Sequence, residues 1–283
     1  MKVTGMQSLV GEGGSRTLAP ATGEYGNRRE SERRFRVLGI GVDVLQIPNA
    51  VDQMSRWIDG AEAGRYVAVT GMHGMVESYR NPRMKRALRA ADLVVPDGMS
   101  LVWLGRWNGF RLRRRVYGPE LMWEFCRRTR HRGFRHFLFG GPPGVAEELA
   151  DRMADTFPSL NVVGTHTPPF REGNEPEPES VLDRINRTAP DILWVGLSTP
   201  KQEIWMHENR GRLNVPVLVG VGAAFDFHTG RVRQSPVWMR EHGLEWLWRL
   251  LQEPRRLWRR YLLGGGQFVL LVGMEFFGFK KFD

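Results

Sequence analysis

From Phe35 onward the chain alternates short apolar runs with stretches of helical period, and this alternation limits the fold more than any other property of the sequence. The runs lie at 36–42, 65–70, 92–96, 135–140, 160–164, 191–197 and 216–222. Between them, stretches such as NAVDQMSRWIDG, GPELMWEFCRRTRHRG and ESVLDRINRTAP place apolar residues three and four apart. Strands and helices in regular alternation predict a parallel sheet with crossover helices, a Rossmann-like α/β domain. The runs are apolar at successive positions, as strands are when helices cover both faces of their sheet.

Two segments fall outside this pattern. Residues 1–34 are rich in Gly, Ser, Arg and Glu, hold no period of 2 or 3.6, and read as a mobile tail. From 234 onward two or three helices are predicted, with Ser235-Pro236 as a start signal, Gly243 as a stop and Pro254 opening another turn. The expected division is therefore a tail over 1–34, an α/β core over 35–233 and a basic helical appendage over 234–283.

Composition narrows the partners. Against 31 acidic residues stand 41 Lys and Arg, a formal charge of +10. Such a surplus favours an anionic partner: nucleic acid, a phosphorylated ligand or an acidic membrane face. Nucleic acid ranks last and is not expected, because charge alone suggests it and the polar residues at the strand ends would then have no task. The N-terminus lacks the apolar stretch of a secretory leader, and polar breaks throughout argue against a multi-span membrane protein. The single cysteine, Cys126, excludes an intramolecular disulfide framework and a multi-cysteine zinc site. A cytoplasmic protein is expected.

In parallel α/β sheets ligands bind beyond the carboxyl ends of the strands, so the residues that follow each run are the candidates. Thr70-Gly71-Met72-His73 follows the second run, Pro96-Asp97-Gly98 the third and Gly140-Gly141-Pro142-Pro143-Gly144 the fourth. Ser198 to Glu203 follows the sixth, and Ala223 to Phe227 the seventh. Asp97 reads either as a general base, partly desolvated by a cleft, or as an Asx-turn residue that ends a strand. His73 reads as an acid/base group or as a packed or capping histidine. The glycine loop offers backbone amides to a phosphate, yet its two prolines remove donors, and a tight turn accounts for it equally. Gln202 can hydrogen-bond a sugar or a base. Asp226, between Phe225 and Phe227, needs a partner N–H, either from a ligand such as uracil or ribose or from the backbone. No two histidines have a metal-ligand spacing and no carboxylates complete such a set, so no metal is expected.

Near the C-terminus Arg249, Arg256, Arg259 and Arg260 interleave with Trp246, Trp248, Trp258 and Tyr261. This pattern suits a helix lying in a membrane interface and equally suits closure over a diphosphate by guanidinium forks. A solvated basic face over an apolar stripe is the third reading. The last apolar run, 268–279, is too short to span a bilayer.

The segments TGMHGM (70–75), NPRMKRALRAADLVVPDGMSLVWLGR (81–106), RVYGPELM (115–122), FLFGGPPGVAEELA (137–150) and DILWVGLSTPKQE (191–203) occur in order, followed by VGVGAAFDFHTGRVRQSPVWMREHGLEWLWRLLQEPRRLWRRY (219–261). Together they resemble the WecG/TagA/CpsF family of bacterial glycosyltransferases. The resemblance implies an enzyme that transfers a sugar from a UDP-sugar, with inversion and without a metal or other cofactor. The donor sugar would be of N-acetylmannosamine, mannosaminuronic or glucuronic type. The acceptor would be a polyprenyl-diphosphate-linked saccharide of a cell-surface or exopolysaccharide, met at the inner face of the cytoplasmic membrane. It makes Asp97 the general base, places Thr70, Arg115 and Gln202 in the cleft, and makes Asp226 a uridine contact. Arg249, Arg256 and Arg259 match arginines of an appendage that folds over the site and supports association with an anionic membrane surface. A homo-oligomer is allowed. The family's strand-exit motif reads T-x-N, whereas Met72 stands at the Asn position here. A thioether lacks the amide's paired donor and acceptor, so either His73 takes that part or the sugar differs. The reading from another class is a non-catalytic UDP-sugar-binding module recruited to the membrane.

Overall fold

The structure, a computed structural model, describes residues 34–169 and 176–282, without the side chain of Arg256. The expected tail lies outside the described residues except for Arg34, where the first strand begins.

The run at 36–42, expected as a strand of the parallel sheet, is instead an antiparallel hairpin of its own, β1 (Arg34–Val37) and β2 (Ile40–Asp43). Leu38 and Gly39 join the two strands with φ of 51° and 76°, the pair of left-handed residues that a two-residue hairpin turn requires. At Gly39 any side chain would also press on the Phe282 carbonyl. A Leu-Gly turn inside an apolar run is concealed by its own hydrophobicity. Asp43 holds the hairpin to the main sheet, its Oδ2 accepting the Val94 N–H at 2.7 Å.

The remaining runs form one six-stranded parallel sheet, β3 (Arg65–Thr70), β4 (Leu93–Pro96), β5 (Arg135–Gly140), β6 (Asn161–His166), β7 (Ile192–Gly196) and β8 (Val217–Gly220), ordered β4-β3-β8-β7-β5-β6. Successive residues of a strand point to opposite faces, and the two cores follow that period. Tyr66, Ala68, Val94, Phe137, Leu193 and Leu218 enter one core, while Val67, Val69, Val95, Leu138, Trp194 and Val219 enter the other. The first core is closed by α2 (Met72–Arg80), α3 (Pro82–Ala90), α7 (Glu179–Thr188) and α8 (Lys201–Asn209). The second is closed by α1 (Ile47–Asp59), α5 (Gly118–Thr129) and α6 (Val145–Thr156). Between β4 and α5 runs α4 (Met99–Trp107), and after β8 comes the short α9 (Ala224–His228).

The C-terminal segment is helical throughout: α10 (Val237–Glu241), α11 (Glu245–Gln252), α12 (Pro254–Trp258), a π-helical turn (Arg259–Leu263) and α13 (Gly264–Phe276). Pro254 has no N–H to continue a helix and starts a new one instead. The arginine cluster is therefore divided between separate helices. Phe268 and Leu271 of α13 are buried in the first core, at about 1.5–3 kcal/mol for each such side chain, and Glu275 Oε2 accepts the Leu38 N–H at 2.9 Å. Among the described residues no helix is long and apolar enough to cross a membrane.

Candidate active site

Strands β3 and β4 pair with Thr70 opposite Pro96, so the two chain exits, Gly71 and Asp97, leave the sheet side by side. The Asp97 N–H donates to the Thr70 carbonyl at 2.8 Å. Asp97 Oδ1 is buried and has no hydrogen-bond partner among the described residues. Burial pushes the carboxyl up to about 7; Glu245 adds to the rise, while Arg115, the Gly118 N–H and Arg249 oppose it. At neutral pH the group is therefore poised between acid and base.

Thr70 is buried beside it, with Oγ1 likewise unpartnered. The hydroxyl lies against Gly74, where a Cβ would come within 1.9 Å. Gly74→Ala must displace either Thr70 or the first turn of α2, and a loss of about 1–3 kcal/mol in denaturant unfolding is expected from such overpacking. Unfolding at the parent midpoint would show that this turn yields freely.

Arg115 ties the core to the appendage. Its Nη1 donates to the Asp97 carbonyl at 3.3 Å, its Nη2 pairs with Glu245, the first residue of α11, and its guanidinium carbon lies 4.2 Å from the centre of the Tyr117 ring. One turn further along α11, Arg249 rests 5.5 Å from the Phe227 ring centre, within electrostatic reach of Asp97. Phe227 belongs to α9, the helix that also carries the half-buried Asp226, whose carbonyl accepts the Val232 N–H at 3.2 Å.

The π-helical turn changes which arginine faces inward. An i→i+5 turn breaks the side-chain register of the preceding helix, and Arg260 points into the molecule, with Nε buried and unpartnered. Burial lowers its pKa and Arg249 pushes the same way, while Asp97 and Glu203 oppose. His73 faces the same guanidinium: burial, then Arg260 and Arg80, pushes its imidazole down to about 3. At physiological pH it is a neutral hydrogen-bonding group and not a proton donor. Arg259, by contrast, is exposed, with its guanidinium 5.4 Å from the Trp258 ring centre, outside the group around Asp97. The side chain of Arg256 lies outside the described residues.

Gln202 is buried and largely engaged within the protein, its Oε1 accepting the Gly222 N–H at 2.9 Å and its Nε2 donating to Glu203 Oε1 at 3.1 Å. It thereby fixes the loop after β8. Glu203 Oε1 also accepts from Thr199 Oγ1 at 2.8 Å, whereas Oε2 is buried without a partner, and burial raises the pKa of this carboxyl. Met72 joins the apolar core with its sulfur 3.8 Å from where a side chain on Gly265 would begin. At the Asn position this chain thus carries a packing contact with α13. In the glycine loop the Gly141 N–H donates to the Gly196 carbonyl at 3.0 Å, so that amide serves the turn.

Sequence reasoning passes over Glu245 and gives no role to Glu203 or Arg260, although it notes Glu203 after the sixth run and Arg260 in the arginine cluster. For Arg260 a signal from helical spacing does not hold: seven and eleven residues from Arg249 would put Arg256 and Arg260 on one face only of an unbroken helix, and Pro254 and the π turn interrupt it. For Glu245, whose role comes from a partner 130 residues away in sequence, there is none. Among the described residues no three His, Cys, Asp or Glu side chains gather as a metal site would require.

Comparison with known proteins settles the lineage. A family profile described as "Glycosyl transferase WecG/TagA/CpsF family" matches residues 35–281. The chain belongs to this family. It is a glycosyltransferase. Two similar proteins are both named N-acetylglucosaminyldiphosphoundecaprenol N-acetyl-beta-D-mannosaminyltransferase. The one from Bacillus spizizenii is 30% identical over 199 residues, 70% of this chain and 75% of the relative. The one from Bacillus subtilis is 29% identical over 175 residues, 62% of this chain and 66% of the relative. The family match extends beyond the arginine cluster into α13, so the α/β core and the appendage described above belong to one family unit.

Proposed function

We propose that this glycosyltransferase moves a sugar of N-acetylmannosamine, mannosaminuronic or glucuronic type from a UDP-sugar to a polyprenyl-diphosphate-linked saccharide, by a single inverting displacement that uses no metal. The enzyme works peripherally on the cytoplasmic face of the cell membrane, in cell-surface or exopolysaccharide synthesis. One observation carries this reading. Four buried polar atoms, Thr70 Oγ1, Asp97 Oδ1, Glu203 Oε2 and Arg260 Nε, belong to residues at the strand ends and the π turn and lack partners among the described residues. Buried polar atoms are normally satisfied, so this grouping suits a polar substrate that completes them. The relatives' names supply the acceptor class, a saccharide on undecaprenyl diphosphate.

The chemistry follows from the charges. The acceptor hydroxyl attacks the anomeric carbon as its proton passes to the Asp97 carboxylate. The bond from that carbon to the diphosphate oxygen breaks on the opposite face, and UDP departs with the bonding electrons. Negative charge grows on the diphosphate as the sugar becomes oxocarbenium-like, where preorganised cations are most effective. Arg249 and Arg260 are the inward-facing cations, and a bound diphosphate would relieve their mutual repulsion. Thr70 and the neutral His73 contact the sugar, Gln202 holds the loop after β8, Asp226 meets the uridine, and Arg259 faces lipid phosphates.

UDP release from a panel of UDP-sugars, with a short-chain lipid-diphosphate N-acetylglucosamine as acceptor, tests the reading. Release that requires the acceptor and persists in a chelator is expected with a hexosamine or uronic donor. Binding of UDP without transfer to any such acceptor would overturn it. Glu245→Gln removes the charge that holds Arg115 and orients α11, with an expected fall of about tenfold in kcat/KM, the size of one weakened charge-assisted contact. An unchanged value would dismiss the Arg115–Glu245 pair as a positioning device.

A further inference from the structure

Large apolar side chains left exposed on one continuous face call for a partner, and such a face begins beside the Asp97 site. On α4, which directly follows Asp97, Trp103 and Trp107 lie four residues apart on one side of the helix and are 52% and 74% exposed. The tip of the Trp103 ring lies against Gly243, two residues before the Glu245 that pairs with Arg115. One turn on, Trp107 meets Phe276 edge to face at 5.4 Å, and Phe276 continues to Phe277 at 5.2 Å. The outer side of α13 extends the face with the exposed Val269 and Leu270. Leu262, Leu263, Gly266, Val269, Leu270, Gly273, Phe276 and Phe277 recur at three- and four-residue steps, a stripe without a charge. The opposite side of α13 carries the buried Phe268 and Leu271.

The rim of this face is basic. Arg111 and Arg113 are exposed just beyond α4, Arg255 and Arg259 before the stripe, and Lys281 after it. Between 254 and 282 six Lys and Arg stand against one acid, Glu275, and that carboxylate is turned inward onto Leu38. Two copies of such a face would bring like charges together, which disfavours self-pairing. A leaflet of anionic lipid supplies both an apolar layer for the rings and phosphates for the cations. At 13 residues, α13 is about 20 Å long, short of the roughly 30 Å hydrocarbon core, and fits lying in the plane of the interface.

We propose that Trp103 and Trp107 of the catalytic core join the outer side of α13 in one surface that docks on an anionic bilayer, and that this surface holds the Asp97 site at the headgroup level. The inference rests on the glycosyltransferase reading above and adds to it an anchor outside the appendage. It explains why the helix leading away from the proposed base carries two exposed indoles, one at its middle and one at its end: the acceptor's diphosphate lies at the depth that they set.

Sedimentation with phosphatidylglycerol-containing and with purely phosphatidylcholine vesicles tests the proposal in the full-length chain. The Trp103→Ser/Trp107→Ser variant is expected to bind the anionic vesicles about tenfold or more weakly, as loss of two interfacial aromatic anchors implies. Transfer to a long-chain acceptor embedded in vesicles should fall in parallel, while transfer to a water-soluble short-chain acceptor stays within about twofold of the parent, since neither indole touches the site. Unchanged vesicle affinity overturns the proposal, as does parent binding that ignores lipid charge. A dimer in sedimentation velocity that the substitutions dissociate, with vesicle binding intact, would assign the face to a second copy and overturn it too. If the double variant fails to fold, Trp107→Ser alone, at the more exposed position, gives the same readout. Absence of transfer to either acceptor by the parent chain would defeat the enzyme reading and leave the vesicle result standing.

Discussion

Asp97→Asn is expected to leave UDP affinity within about threefold and to slow transfer by about 10²–10⁴, the range that a positioned general base contributes. Asparagine keeps the shape of the side chain and cannot take a proton, so the loss should fall on kcat and not on KM. The pH profile of the parent carries the same information. A base must be ionised to work, and Asp97 titrates near 7, so kcat/KM should rise with pH through about 7 and level off above it. Stability should run the other way. Folding raises this carboxyl from its ordinary 3.8, so the folded state favours the protonated form, and that contribution fades as pH climbs through about 7. Asp97→Asn, which can never ionise, should therefore melt above the parent at pH 8 and lose most of that advantage at pH 5. Near-parent transfer by the variant, or a flat profile between pH 5 and 8, would remove Asp97 from the role of base.

Arg260→Ala comes second in expected size. A cation that meets charge developing in the transition state is worth about 10²–10³ in rate, and Arg260 is the buried guanidinium with an unpartnered Nε among the residues around Asp97. Arg260→Lys keeps the charge and loses the fork, so it should recover only part of the rate. Arg259→Ala should change transfer to a water-soluble acceptor by less than about threefold, the small effect of a solvated charge. Binding supplies a readout independent of turnover. UDP should raise the parent's melting temperature by stabilising the folded state, and should raise that of Arg260→Ala less. The reverse ranking of positions 259 and 260 would show that the π turn does not select between them.

Much of this molecule can be read from its residues. Six of the seven apolar runs are strands of the parallel sheet, because a strand covered on both faces must be apolar at each position and so stands out from its surroundings. The exception, the hairpin at Arg34–Asp43, failed for the same reason, since its turn is apolar too. Of the candidate residues, Thr70, His73, Asp97, Arg115 and Arg249 stand close enough to influence one another or Arg260 through hydrogen bonds or charge. Thr70, His73 and Asp97 lie at or just beyond strand exits, which topology alone brings together, whereas Arg115 lies between α4 and α5 and Arg249 in α11. Gln202 was chosen for its position, and its partners turned out to be Gly222 and Glu203. What stayed hidden depended on long-range docking. Arg115 finds Glu245 across the chain, and the choice of Arg260 over Arg259 depends on a single turn of π-helix. Neither leaves a local pattern.

The bond from Leu38 to Glu275 joins residues 237 apart in sequence, and Phe282 closes on the same turn at Gly39. The hairpin and α13 are thus one unit, and neither can open without releasing the other. Arg260 lies only fifteen residues before Glu275, so a fluctuation that frees α13 from the hairpin also loosens the turn that carries this guanidinium. Substitutions at the Leu38-Gly39 turn, far from Asp97 in sequence, would therefore be felt at the strand exits through α13.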